Sequence, residues 1–380
     1  MIPAATCGRP SGSNFLAIAL ATAALSVFGL TCGLLSLRRV SQSHCMLAVM
    51  GVVLWLWMFP QFKAFDHSVS LSMVYFAVLL VEKPKVSRHF GVGIFLGLAA
   101  FFGRNHGFYG LIAYFLLILF IWHKLSRVDL PKRLVAWAFG IVIGYLPLLI
   151  MVIFIPEFLG AFWNDLVLLF DYGATNIPLP VPWPWQIDYA ELPTLDAIKQ
   201  ALTGTLFLVM PVFFIGAGIY LSIAHAVRLQ RNPLFVAAAF VGLIYIHYAF
   251  SRADIAHLAQ GIHPFLLGLM ALPMWEFNYL FKLGAMLLLL AASLLTVGLD
   301  SHYAYFVEKV KKKLPAKIAG SPVAEVRTID GVKVILQNEH WILMRPSGTE
   351  PLIRTYAEAN TPQAKDALLE QAGKWVKGFL

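Results

Sequence analysis

Near the C-terminus, Arg345-Pro346-Ser347-Gly348-Thr349-Glu350-Pro351 gathers the residue types that hold a phosphate monoester. Arg345 offers a bidentate fork, Ser347 and Thr349 offer hydroxyl donors, and Gly348 lets backbone N–H groups come close. Arg354, a few residues on, adds a second charge or pairs with Glu350. A second polar set is scattered through the first 300 residues: Asp66-His67, Arg104-Asn105-His106, and Arg252, Asp254 and His257. Each group sits where an apolar run begins or ends. Charges at such edges reach interfacial water, so loop solvation and helix capping are open to them as well as a role in an outer-face site.

The phosphate-type loop needs a rigid frame, and the flanking sequence supplies one. Val323–Ile329, Val332–Leu336, Trp341–Arg345 and Leu352–Glu358 alternate like strands, with Asp330-Gly331 and Gln337-Asn338-Glu339 as turn signals. Thr361 then caps a helix with Pro362 at its first position, and Ala364, Leu368, Gln371 and Trp375 follow at helical spacing. With an earlier helix over Tyr303–Leu314, this predicts a small α+β domain, a four-stranded sheet with flanking helices.

Everything before it has a different composition. Of the charged residues, 20 fall among the 80 residues of 301–380 and only 29 among the first 300. Hydrophobic residues make up 59% of the chain, against about 45–50% in soluble domains. The chain therefore divides into a polytopic α-helical membrane domain, 1–300, and a C-terminal domain, 301–380. Uncharged apolar runs are Asn14–Leu37, Cys45–Pro60, Val69–Val81, Phe90–Phe102, Gly107–Trp122, Leu134–Ile155, Thr203–Ala224, Leu234–Phe250 and Leu283–Leu299, with a weaker one at Ile262–Trp275. A span takes about 20 residues, so the runs give nine or ten spans if the short ones borrow flanking residues. The first run lacks a basic leader and a cleavage signal and reads as a retained span.

Lysine and arginine set the orientation. Arg38-Arg39, Lys83 to Arg88, Lys124 to Arg133, and Arg228 with Arg231 mark cytoplasmic loops, which puts the N-terminus outside and the segment 156–202 on the outer face. Trp163, Trp183, Trp185 and the run Ile177-Pro178-Leu179-Pro180-Val181-Pro182 make that segment an aromatic belt or a platform for a lipid or sugar. Lys309 and Lys311–Lys313 call for a cytoplasmic tail, although ten full spans would place it outside.

Multiple spans with a long outer loop and polar outer edges resemble polytopic glycosyltransferases that use polyprenyl-phosphate sugars. The segments Gly103-Arg104-Asn105-His106-Gly107 and Ser251-Arg252-Ala253-Asp254-Ile255-Ala256-His257-Leu258 carry the likeness. It implies Asp66 or Asp254 as general base on the acceptor, with Arg104 or Arg252 at the lipid phosphate and His257 beside them. The chain departs from that family in having no acid in residues 1–13, where the family's first outer acid would fall.

The tail resembles the C-terminal domain of the α-D-phosphohexomutases, the phosphomannomutase, phosphoglucomutase and phosphoglucosamine mutase group. The match runs from about Phe306 to Val376 and includes Thr328-Ile329-Asp330-Gly331-Val332-Lys333, Trp341 to Pro351, and Arg354-Thr355-Tyr356-Ala357-Glu358-Ala359. It implies that Arg345, Ser347, Gly348 and Thr349 grip the phosphate of a hexose phosphate. Such mutases also need a phosphoserine loop, an Asp-rich Mg²⁺ loop and a sugar-selecting loop. No Ser-His-Asn loop and no Asp-x-Asp-x-Asp run occurs here. Without a phosphoryl donor and metal nothing drives the transfer, so the chain is not expected to be a self-sufficient mutase.

The remaining features narrow the partners. A net charge of +9 invites a nucleic-acid assignment. It divides into +4 in the tail and +5 in the membrane part, mostly in short loops, which suits anionic lipid instead. Cys7, Cys32 and Cys45 are too few for a metal site or a disulfide framework, and Cys32 and Cys45 read as small core residues. The expected ligands are a hexose phosphate and a membrane lipid such as polyprenyl phosphate, with no metal and no cofactor. The expected location is a bacterial cytoplasmic membrane.

Overall fold

The computed structural model describes residues 12–59, 65–127, 129–172, 179–190, 192, 194–272, 277–298, 307, 310–312, 314–328, 331–346 and 353–377. The chain divides into two compact units, Met1–Val297 and Gly298–Leu380.

The first unit is helical: α1 (Gly12–Leu37), α2 (His44–Leu56), α3 (Asp66–Glu82), α4 (Val86–Phe102), α5 (Arg104–Phe120), α6 (Leu130–Gly144), α7 (Leu146–Phe154), α8 (Phe158–Tyr172), α9 (Thr194–Ile223), α10 (Ala226–Arg231), α11 (Pro233–Phe250), α12 (Ile255–Ala271) and α13 (Tyr279–Ser293). Short π-helical turns, Ile121–Leu125 and Leu294–Gly298, extend α5 and α13. Side-chain oxygens mark several starts: Ser43 accepts from Met46 N, Asp129 from Lys132 N, Asn232 from Phe235 N and Asn278 from Phe281 N. Each satisfies one of the N–H groups a helix start leaves open.

Among the described residues five helices are long and apolar enough to cross a membrane: Leu16–Leu37, Arg104–Leu125, Thr194–Ile223, Pro233–Phe250 and Tyr279–Val297. A sixth appears if α6 and α7, bent by 46° to each other, form one broken span. The expected nine or ten spans exceed this number for a reason of length. Helix α2 has 13 residues and α4 and α12 have 17, or about 20–26 Å of rise against a hydrocarbon core of ~30 Å. The segment expected as a long outer loop at 156–202 is also largely helical, holding α8 and the first turns of α9.

Helix α12 is the axis of the unit. All of its residues except Ile255 and Leu269 are buried, and α11, α3, α1, α9 and α2 pack around it. Most of its residues are apolar, and a helix that buries nearly all of its surface needs such encirclement. Trp57, Tyr114, Phe207, Tyr245 and Phe265 are the largest side chains shut inside. Trp57, just past α2, donates its indole N–H to Ser293 Oγ at 3.0 Å and so ties α2 to α13. The rim is apolar too: Val135, Phe139, Ile153, Phe154, Ile215, Ile219, Ile223 and Leu288 are all more than half exposed. Large exposed apolar side chains on four helices are what a membrane-facing or partner-facing surface would present. Cys32 is buried in α1, whereas Cys45 is exposed at the start of α2 rather than in the core; Cys7 lies outside the described residues.

Helices α4 and α6 make the closest contact. A Cβ on Gly93 would lie 2.2 Å from the Trp137 carbonyl oxygen, and one on Gly140 2.2 Å from that of Phe90. Gly97 meets the Ile141 oxygen at 2.3 Å and Gly144 the Ile94 oxygen at 2.0 Å in the same construction. Two glycine pairs four residues apart thus let the backbones touch.

The second unit holds an antiparallel sheet in sequence order: β1 (Lys317–Ile318), β2 (Ser321–Arg327), β3 (Val332–Leu336), β4 (Trp341–Pro346) and β5 (Ile353–Glu358). It has five strands rather than the four expected. The extra one is two residues long and closes on β2 through Ala319 and Gly320, both at positive φ. Helix α14 (Pro362–Lys377) follows β5, with Thr361 Oγ1 accepting from Ala364 N at 3.2 Å. Leu368 and Ala372 are its buried positions, packed with Val310, Ile318, Val332, Val334, Leu336, Ile342 and Met344. Gln371 stays exposed, and its Oε1 accepts from Ala319 N at 2.5 Å. The side chain of Trp375 and most of the helix expected at Tyr303–Leu314 lie outside the described residues.

Candidate functional site

In the second unit, strand alternation decides which side chains meet. Val332 pairs with Met344 and Val334 with Ile342, and all four are buried in the domain core. The intervening residues face the other way: Lys333 pairs with Leu343, Leu343 with Tyr356, and Arg345 with Arg354. Arg345 and Arg354 are therefore cross-strand partners on that other face of the sheet. Tyr356 and Trp341 lie on the same face, with Lys333 Nζ 3.8 Å above the Trp341 ring. Ser347, Gly348 and Thr349, the rest of the expected phosphate loop, lie outside the described residues.

In the helical unit, Asp66 opens α3 and is 1% exposed. Its Oδ1 accepts from His106 Nε2 at 2.7 Å, and its Oδ2 accepts from the Tyr248 hydroxyl at 3.1 Å. A carboxylate can only accept, so His106 carries a proton on Nε2. The Nδ1 of His106 lies 2.7 Å from the Tyr245 hydroxyl. Tyr245 and Tyr248 are one turn apart on α11, and Tyr109 on α5 meets His247 Nδ1 at 2.8 Å. Three helices, α3, α5 and α11, are thus joined by hydrogen bonds inside an apolar bundle.

Arg252, Asp254 and His257 form a second group at the start of α12. Asp254 Oδ2 pairs with Arg252 Nε at 2.7 Å, and its Oδ1 accepts from His257 N at 2.8 Å and lies 3.0 Å from His257 Nδ1. Asp254 is therefore the N-cap of α12. The ring of His257 lies 6.2 Å from that of Tyr248, so Tyr248 touches both groups. Arg104 stands apart, exposed and paired at 3.1 Å with Asp165 of α8. Trp183 and Trp185 stack at 5.3 Å and 5°, with Trp185 67% exposed. The Tyr189 hydroxyl donates to Pro184 O at 2.7 Å and pins the stack.

Sequence patterning missed Tyr109, Tyr245, His247 and Tyr248 because they sit inside apolar runs, where Tyr counts with the hydrophobic residues. The available signal was Tyr245-Ile246-His247-Tyr248 itself, three hydrogen-bonding side chains in one turn of such a run. Among the described residues, no group of three or more His, Cys, Asp or Glu is placed to hold a metal ion.

Residues 307–372 match the family model described as Phosphoglucomutase/phosphomannomutase, C-terminal domain. The chain is 42% identical over 73 residues to a phosphopentomutase of Thermococcus kodakarensis, covering 19% of this chain and 16% of that protein. It is 46% identical over 81 residues to a probable phosphoglucosamine mutase of Methanothermobacter thermautotrophicus, 21% of this chain and 18% of the relative. A phosphoglucosamine/phosphogalactosamine mutase of Sulfurisphaera tokodaii is 38% identical over 85 residues, 22% of this chain and 18% of its own length. The chain thus spans less than a fifth of these curated relatives. No solved structure matches it. Residues 307–372 carry a phosphohexomutase C-terminal domain.

Proposed function

We propose that the C-terminal domain binds the phosphate group of a hexose phosphate, and that the helical unit holds this module at a membrane. The supporting observation is the cross-strand pairing of Arg345 with Arg354 on one face of the sheet, two arginines that flank Ser347-Gly348-Thr349 in the sequence. Ser347, Gly348 and Thr349 complete the grip with hydroxyl and backbone donors, as the relatives' printed activities on phosphorylated sugars suggest. The chain binds without turning its ligand over, since it brings no phosphoserine or Asp-rich metal loop. The tail faces the cytoplasm of a bacterial cell, where sugar phosphates are made and used. Titration of the full chain in nanodiscs with glucose 6-phosphate and with glucose tests this. Millimolar binding of the phosphate ester alone is expected, because a few charge-assisted hydrogen bonds must offset the entropy of association. Equal binding of glucose would refute it.

A second activity, transfer of sugar from a polyprenyl phosphate, draws support from the gathering of Asp66, His106, Asp254 and His257 around Tyr248. Asp66 or Asp254 would then take the acceptor's proton, with Arg252 or Arg104 at the lipid phosphate. Absence of sugar transfer from a polyprenyl-phosphate donor by the unaltered chain would dismiss it, and transfer that survives in both Asp66→Asn and Asp254→Asn would dismiss these carboxylates as its base.

A further inference from the structure

Several buried polar atoms of the helical unit lack a hydrogen-bond partner, and one group of them lies together on two packed helices. His67 on α3 and Gln260 and His263 on α12 are each no more than 1% exposed. Both ring nitrogens of His67, both amide atoms of Gln260 and Nδ1 of His263 have no hydrogen-bond partner. The rings of His67 and His263 meet edge to face at 5.5 Å, and Gln260 lies one turn before His263 on α12. An unpaired buried polar group is destabilising, and three such residues sit here in neighbouring positions on two packed helices.

The chemistry of the set is specific. His263 Nε2 lies 3.4 Å from Leu54 O. Either neutral tautomer of His263 presents one N–H and one lone pair. Neutral His67 presents one N–H and one lone pair, and Gln260 presents an NH₂ and a carbonyl oxygen. The unused valences are a mixture of donors and acceptors with no carboxylate, lysine or arginine among them. The neighbouring acid, Asp66, already has both oxygens engaged by His106 and Tyr248. A cation would find no anionic partner here, and an anion no cationic one. Hydroxyl groups, which donate and accept at once, match the set.

We propose that a neutral, hydroxyl-bearing ligand occupies the space between α3 and α12, held by His67, Gln260 and His263. Its source is ordered water or the hydroxyls of a sugar. Either one satisfies the five orphaned atoms and joins the two helices through a bridge that apolar packing cannot supply.

Radiolytic hydroxyl footprinting of the full chain in nanodiscs tests the site, because water or hydroxyls held inside a protein label adjacent side chains that bulk solvent cannot reach. His67 and His263 should be modified at rates comparable with exposed Trp185, while Phe207, wholly buried among apolar side chains, stays unmodified. Labelling that persists in excess glucose identifies water as the occupant, and labelling suppressed by glucose identifies a sugar hydroxyl. No labelling at either histidine while Trp185 is labelled overturns the proposal. A second measurement uses Gln260→Leu. If the site is filled, the substitution strands the ligand's hydrogen bonds and lowers the thermal midpoint. If the site is dry, it removes two orphaned atoms at once, and an unchanged or raised midpoint overturns the proposal.

Discussion

At the scale of single residues, the two functional regions respond differently to substitution. Arg345 supplies both charge and a planar fork, so Arg345→Ala should weaken glucose 6-phosphate binding by about 10- to 150-fold, the equivalent of ~1.5–3 kcal/mol for a charge-assisted bond. Arg345→Lys should restore part of this, because a point charge cannot engage two phosphate oxygens in parallel. Calorimetric titration of the three proteins gives the order. In the helical unit, His106→Ala takes the 2.7 Å partner from a carboxylate that is 1% exposed and should cost about 3–5 kcal/mol of stability. His257→Ala should cost less, since Asp254 keeps Arg252 and a backbone N–H. Thermal unfolding in detergent compares the two. The sequence made Asp66, Arg252, Asp254 and His257 visible because charge is rare in apolar surroundings. It could not show that Asp66 turns inward to His106, 40 positions away, because that depends on how three helices pack.

At the scale of elements, local signals were read well where one short stretch contains them. Four strands of the small sheet alternate plainly, and Thr361-Pro362 announces its helix. Strand β1 escaped notice because two residues have no period. Helix length was harder, since a 13-residue apolar run looks the same whether it spans a bilayer or lies short within a bundle. The α4–α6 contact was invisible as well, although Gly93, Gly97, Gly140 and Gly144 are plain in the sequence; small residues four apart acquire meaning only when a partner helix is identified. That contact carries a direct test. Gly140→Ala places a Cβ 2.2 Å from the Phe90 oxygen, so the helices must part and stability should fall by about 1–3 kcal/mol. Gly160→Ala, where nothing lies within 4 Å, should be neutral or mildly stabilising in the same unfolding assay.

At the scale of the whole molecule, a change in charge density at about residue 300 coincides with the division into Met1–Val297 and Gly298–Leu380. The change of composition is plain in the sequence because charged residues number 20 among the 80 of 301–380 and 29 among the first 300. The number of helices long enough to cross a membrane was not legible: among the described residues five meet the length requirement and others fall short of it. If the helical unit spans a membrane, the positive-inside bias at Lys309 and Lys311–Lys313 predicts a cytoplasmic tail. A periplasm-active phosphatase fused after Leu380 should be silent and a cytoplasm-active fluorescent fusion bright. The reverse pattern would detach the phosphate site from the cytosolic sugar-phosphate pool.

The α4–α6 glycine contact also bears on how the protein is made. Gly93 lies against Gly140 and Gly97 against Gly144, so the residue numbers rise together and the two helices run parallel. Parallel neighbours cannot be the two arms of one hairpin; α5 must run back between them. As the chain leaves the ribosome, α4 therefore emerges with its glycine seam uncovered and keeps it so until α6 follows, after α5 and the Ile121–Leu125 turn. During that interval the exposed backbone strip is a ready target for a chaperone or for a stray helix, and synthesis stalled near residue 129 should leave α4 open to proteolysis.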